Sequence, residues 1–118
     1  MSGTTNLEMK QLLTELKTQS IKGNVKLWKR LAEDLEKSNR DRRVVNISRI
    51  NHFTKEGEMI VVPGKVLGTG ALNHKLTIAA YSFSNSALRE IEKVKGKAIT
   101  ITQLLKEKPD GKGIRIIG

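Results

Sequence analysis

Residues 61–70 read VVPGKVLGTG, and how this stretch bends decides how the chain divides. Proline fixes φ and glycine admits positive φ, so Pro63-Gly64 and Gly68-Thr69-Gly70 both read as tight reversals between aliphatic strand ends. Lys65 then stands in the Pro-Gly turn, where its ammonium and the neighbouring N–H groups offer themselves to one phosphate. Two nucleotide-binding patterns are excluded. No Gly-Lys-Ser/Thr follows at P-loop spacing, and Asn73 stands where the third glycine of a dinucleotide fingerprint belongs.

Working outward, short elements are expected on both sides. Towards the N-terminus, Thr5 and Glu8 fit a capping box that opens a helix over 6–19, with Met9, Leu12, Leu13 and Leu16 at helical spacing. Residues 20–24 end it, and Asn24 caps a second helix over 25–37 whose packed face is Trp28, Leu31 and Leu35. An all-polar run follows at 37–43, then an extended piece at 44–47, and Ile47, Ile50 and Phe53 form a turn of helix. Strands are expected at 59–62, 65–67 and 76–81, with residues 73–75 at a hairpin tip. A helix capped within 84–86 runs to Gly96. A strand at 98–101 precedes a short helix capped by Thr102, and a last strand spans 114–117.

Composition narrows the function classes. Of 118 residues, 22 are Lys or Arg and 12 are Asp or Glu, giving a formal net charge of +10. The surplus is even, since residues 1–53 and 54–118 each hold 11 basic and 6 acidic side chains. A wholly basic body suits a protein set in a polyanion better than an enzyme for a small soluble substrate. The chain has no cysteine, which removes disulfides, thiolate chemistry and cysteine-based zinc sites. No apolar run approaches a membrane span and no signal-peptide core opens the chain, so a cytoplasmic protein is expected. One Trp, one Tyr and two Phe leave little for aromatic stacking platforms, so phosphate-backbone contacts are the expectation.

Three stretches carry a family resemblance: residues 42–50 (RRVVNISRI), 61–72 (VVPGKVLGTGAL) and 79–91 (AAYSFSNSALREI). In this order and spacing, with 24–35 (NVKLWKRLAEDL) before them, the chain resembles large-subunit ribosomal protein eighteen-e of archaea and eukaryotes. That family is a relative of bacterial large-subunit protein fifteen. The compact length and the ending GIRIIG at 113–118 resemble the archaeal members. Asn39 departs from the basic residue expected at its position. The resemblance implies a mixed α/β fold of irregular β-β-α turns with an N-terminal helical extension. It places 1–118 in one ribosomal-protein domain, with the extension at 1–39 and a compact body at 40–118. It also implies a structural constituent of the large subunit, with large-subunit ribosomal RNA and neighbouring ribosomal proteins as partners. No catalytic activity, cofactor or small-molecule substrate is implied.

Within that frame, Arg40, Arg42, Arg43 and Arg49 form the densest arginine cluster, and guanidinium forks match phosphate geometry. Lys65, His74 and Lys75 are the further RNA-binding candidates, and Pro63, Gly64, Gly68 and Gly70 shape the loop that carries Lys65. Lys93, Lys95 and Lys97 complement a helix C-terminus. His52 and His74 lack a spaced third ligand, so no metal site is expected. Ser84, Asn85 and Ser86 lack a histidine–carboxylate partner set and read as helix caps rather than nucleophiles. The other class consistent with the charge is a basic DNA-binding or chromatin protein without sequence preference.

Overall fold

The computed structural model describes residues 3–37 and 43–118; the side chains of residues 3–6 and 43 lie outside that description. Five helices and one five-stranded sheet make up the described residues, a mixed α/β fold as expected. The order is α1 (Gly3–Gly23), α2 (Lys26–Lys37), β1 (Arg43–Asn46), α3 (Ile47–Phe53), β2 (Met59–Leu67), β3 (Thr77–Phe83), α4 (Asn85–Lys93), β4 (Lys97–Thr100), α5 (Ile101–Glu107) and β5 (Ile114–Ile116). Every strand pair is parallel. Parallel sheets require cover on both faces, and alternation along the strands supplies two apolar sides. Ile60, Val62, Val66, Ile78 and Ala80 pack with α3 and α4 through Ile47, Ile50, Ala87 and Ile91. Val61 and Ala79 pack on the other side with Leu12 and Leu16 of α1, Trp28, Leu31 and Leu35 of α2, and Leu104 of α5. The Trp28–Leu31–Leu35 stripe is thus a packed face, and the Trp28 indole donates to the Pro109 carbonyl at 2.8 Å.

Pro63-Gly64 is not a reversal. Both residues lie inside β2, buried, so the two strands expected at 59–62 and 65–67 are one. The pairing explains how a central strand tolerates proline. β5 pairs the first part of one edge of β2, at Met59–Val61, and β1 pairs the last part, from Gly64 to Leu67. Pro63 falls where the edge changes hands, so its missing N–H interrupts neither ladder. On the other edge, Val62 pairs Ala80 while Lys65 pairs Ser82, a bulge of one extra residue.

The expected hairpin between β2 and β3 is also absent, because these strands run parallel. Residues 68–76 must carry the chain back along the sheet without a helix. Nine residues reach about 30 Å when extended, roughly the length of β2 itself.

The helix ends differ from expectation in ways the hydrogen bonds explain. α1 opens at Gly3, so Thr5 lies inside the helix rather than capping it. Asn24, expected to cap α2, adopts φ 54° as the left-handed residue that ends α1. The Val25 N–H reaches the Ser20 carbonyl at 2.9 Å and the Asn24 N–H reaches Ile21 at 3.4 Å, the Schellman pattern. Ser84 caps α4, accepting from the Ala87 N–H at 3.1 Å. α5 is capped by Thr100, not Thr102. Thr100 Oγ1 accepts from the Gln103 N–H at 3.0 Å, and Gln103 Oε1 accepts the Thr100 N–H at 2.9 Å.

Candidate nucleic-acid interface

The returning segment 68–76 is fastened along its length, to the start of α4, to α3 and to the turn after α3. At its start, Gly68 packs on the N-terminus of α4: a Cβ there would stand 2.3 Å from Ser86 Oγ and 2.6 Å from the Ala87 nitrogen. Gly70, at φ +99°, lies against Ser48 in the first turn of α3, where a Cβ would meet the Ser48 Cβ at 2.4 Å. The Thr69 carbonyl accepts the Ser48 N–H at 3.1 Å. Further along, Asn51 Oδ1 accepts the Asn73 N–H at 2.8 Å. Thr54 and His74 bond at 2.8 Å, and the Lys75 carbonyl accepts the Gly57 N–H at 2.8 Å. Close approach to two helix starts is therefore what Gly68 and Gly70 serve.

His74 has a defined role in this seam. The buried Thr54 hydroxyl donates its one proton to the Ile50 carbonyl at 2.7 Å, so it can only accept from His74. The imidazole must then carry a proton on Nε2. The half-buried ring pins the segment to the end of α3.

The exposed positions of α3 and the returning segment form one surface, with Arg49, His52, Phe53, Lys55 and Lys75 on it. The Arg49 guanidinium lies 5.0 Å above the Phe53 ring, and His52 meets the same ring edge-on at 4.7 Å between centroids. At the C-terminal end of α3, Arg115 of β5 donates to the Phe53 carbonyl. The same guanidinium grips Glu58, with Nε–Oε2 at 3.0 Å and Nη2–Oε1 at 3.1 Å. Arg115, then the Lys55 N–H donating at 2.7 Å, hold the Glu58 carboxyl below its usual 4.5. This clamp joins residues 57 positions apart, and nothing local in the sequence announces it.

Lys65 belongs elsewhere. It is exposed and alternates with the buried Val66, so it projects from the opposite face to α3. Its register neighbours Val44 and Ser82 are exposed as well, which makes this corner of the sheet bare. The backbone of Arg43 lies there, opening β1 opposite Gly64. Arg40 and Arg42, with Asn39, lie outside the described residues, as does the side chain of Arg43. The candidates thus divide into an α3 surface with Arg49, His74 and Lys75, and a β1–β2 corner with Lys65 and the Arg43 backbone. Sequence spacing misses Phe53, because an apolar residue at helical spacing from Ile47 and Ile50 reads as core.

Among the described residues no three His, Asp or Glu converge as a metal site requires, and no helix is long and apolar enough to cross a membrane. A basic α/β sheet protein with a cationic α3 surface and an exposed lysine at the far corner of its sheet is the class these features define. The chain belongs to the family described as "Ribosomal protein 60S L18 and 50S L18e", which matches residues 4–118. It is similar to the protein named large ribosomal subunit protein eL18 of Methanoregula boonei, 45% identical over 113 residues, 96% of this chain and 93% of that one. The protein of the same name from Methanosphaerula palustris is 46% identical over the same shares. That of Sulfurisphaera tokodaii is 44% identical over 98% of this chain and 95% of its own.

Proposed function

We propose that this chain is a non-catalytic constituent of an archaeal large ribosomal subunit, seated in the cytoplasm. In this reading it binds large-subunit ribosomal RNA mainly through phosphates and touches neighbouring ribosomal proteins. The observation that carries the reading is a family match from residue 4 to 118 coinciding with a net charge of +10. Lysine and arginine at that surplus displace condensed counterions and offset repulsion between RNA segments packed on either side.

The contact residues in this proposal are Arg49 and Lys75 on the α3 surface, Lys65 at the sheet corner, and Arg40, Arg42 and Arg43 leading into it. His74 contributes through its free ring edge while Nε2 holds Thr54. The glycine-shaped segment holds Lys75 and His74 against α3, which carries Arg49, so recognition follows RNA shape and backbone spacing more than base identity.

The test is sedimentation of tagged chain from its native host through a sucrose gradient. Co-migration with large subunits, released by a high-salt wash, is expected. Recovery with chromatin or at the top of the gradient refutes the assignment.

A further inference from the structure

Phe53 sits in a chain whose other aromatics are buried or half-buried, yet it is 49% exposed. Its backbone is fixed from beneath by Arg115 through the Phe53 carbonyl, and Arg115 is itself clamped by Glu58. Its ring is oriented by Arg49 above one face and by His52 at an edge. Beside it opens a recess of about 410 Å³ lined by His52, Phe53, Thr54, Lys55, Glu58 and Arg115. An exposed aromatic held this firmly is not a side chain that failed to find the core.

We infer that Phe53 and Arg49 form a stacking platform for one unpaired base of RNA, extruded from its helix into this recess. The inference rests on the RNA-binding reading and gives it a base-contacting site beside the phosphate contacts. The ring offers a flat π-face, and the Arg49 guanidinium, 5.0 Å from the ring centroid, adds a planar cation beside it. Lys55, on the rim of the recess, offers a cation to a phosphate flanking a splayed nucleotide. Glu58 is occupied by Arg115 and so does not repel it. A base inside a continuous helix is stacked on both faces and has no face to offer the ring, so the recess favours unpaired nucleotides.

The probes are a short single-stranded oligoadenylate and a blunt-ended RNA duplex, titrated with full-length protein and with Phe53→Ala, Phe53→Leu and Phe53→Trp. Exposure of the ring means that unfolding temperatures are expected to stay close to the parent. Phe53→Ala and Phe53→Leu are expected to weaken oligoadenylate binding roughly tenfold, with the salt dependence unchanged because no charge is removed. Duplex binding is expected to hold. Phe53→Trp is expected to retain affinity and to show fluorescence quenching by oligoadenylate but not by duplex, the native Trp28 being buried. Equal oligoadenylate binding by parent and Phe53→Ala overturns the platform while leaving the RNA reading intact. So does a Phe53→Trp variant that binds as well as the parent and stays unquenched. A parent that binds neither probe overturns both.

Discussion

Lys95 occupies a backbone conformation that lysine adopts only against a steric cost. It ends α4 at φ 60°, with its N–H on the Glu92 carbonyl and the Gly96 N–H on Ile91, both at 2.9 Å. The glycine usual at this place stands one position later, for another reason: a Cβ at residue 96 would lie 2.7 Å from the Leu76 carbonyl oxygen. The left-handed conformation costs a side-chain residue about 1–2 kcal/mol, and glycine recovers part of that against its greater unfolded freedom. Lys95→Gly is therefore expected to stabilise the chain by about 0.5–1 kcal/mol in denaturant unfolding. Gly70 is the converse case. Its positive φ and its approach to Ser48 make Gly70→Val costly by roughly 2–5 kcal/mol from strain and overlap together. Lys65→Ala, on an exposed strand position, is expected to leave the unfolding midpoint nearly unchanged while reducing incorporation into large subunits. Tolerance of valine at 70 would remove the close-packing account of this glycine.

At the scale of elements, the seam between α3 and residues 68–76 replaces the helix that ordinarily connects parallel strands. His74→Ala removes the donor to buried Thr54 and is expected to cost about 1 kcal/mol, seen as a lower melting temperature. The Glu58–Arg115 clamp fastens the same C-terminal end of α3 to β5 and adds a pH signature. Because the folded carboxyl titrates below its usual 4.5, its contribution is whole above that value and fades as pH falls through the folded pKa. Glu58→Gln should thus lower the melting temperature near neutrality and make progressively less difference on acidification. A constant gap at all pH values would show that ionisation is not what matters. Sequence periodicity locates α2, β1, α3 and the cap of α4 because each rests on local spacing and capping chemistry. It misplaces Pro63-Gly64 because proline and glycine signal a reversal unless the strand's edge happens to change partners there, as between β5 and β1. Parallel pairing and the Glu58–Arg115 clamp depend on residues far apart in the chain, so no local pattern carries them.

For the whole molecule, charge and shape bear on how the proposed RNA contacts would be made. The chain is a flat body whose Cα atoms span 36 × 35 × 18 Å, with α3 on one broad face of the sheet and the Lys65 corner on the other. A plate of this kind, cationic on both faces, is suited to lie between RNA segments rather than to grip one. Affinity for large-subunit ribosomal RNA should then fall steeply with salt, each neutralised phosphate adding close to one unit to the log–log slope. Arg49→Ala, Lys65→Ala and Lys75→Ala should each reduce the slope by about one. Since Lys65 projects from the opposite face to Arg49 and Lys75, the losses should add when all three are combined on intact RNA. On a single isolated RNA helix, which one face alone can engage, removing the cation of the idle face should have little effect. Additive losses on the isolated helix would place all three cations on one RNA surface and refute the two-faced arrangement.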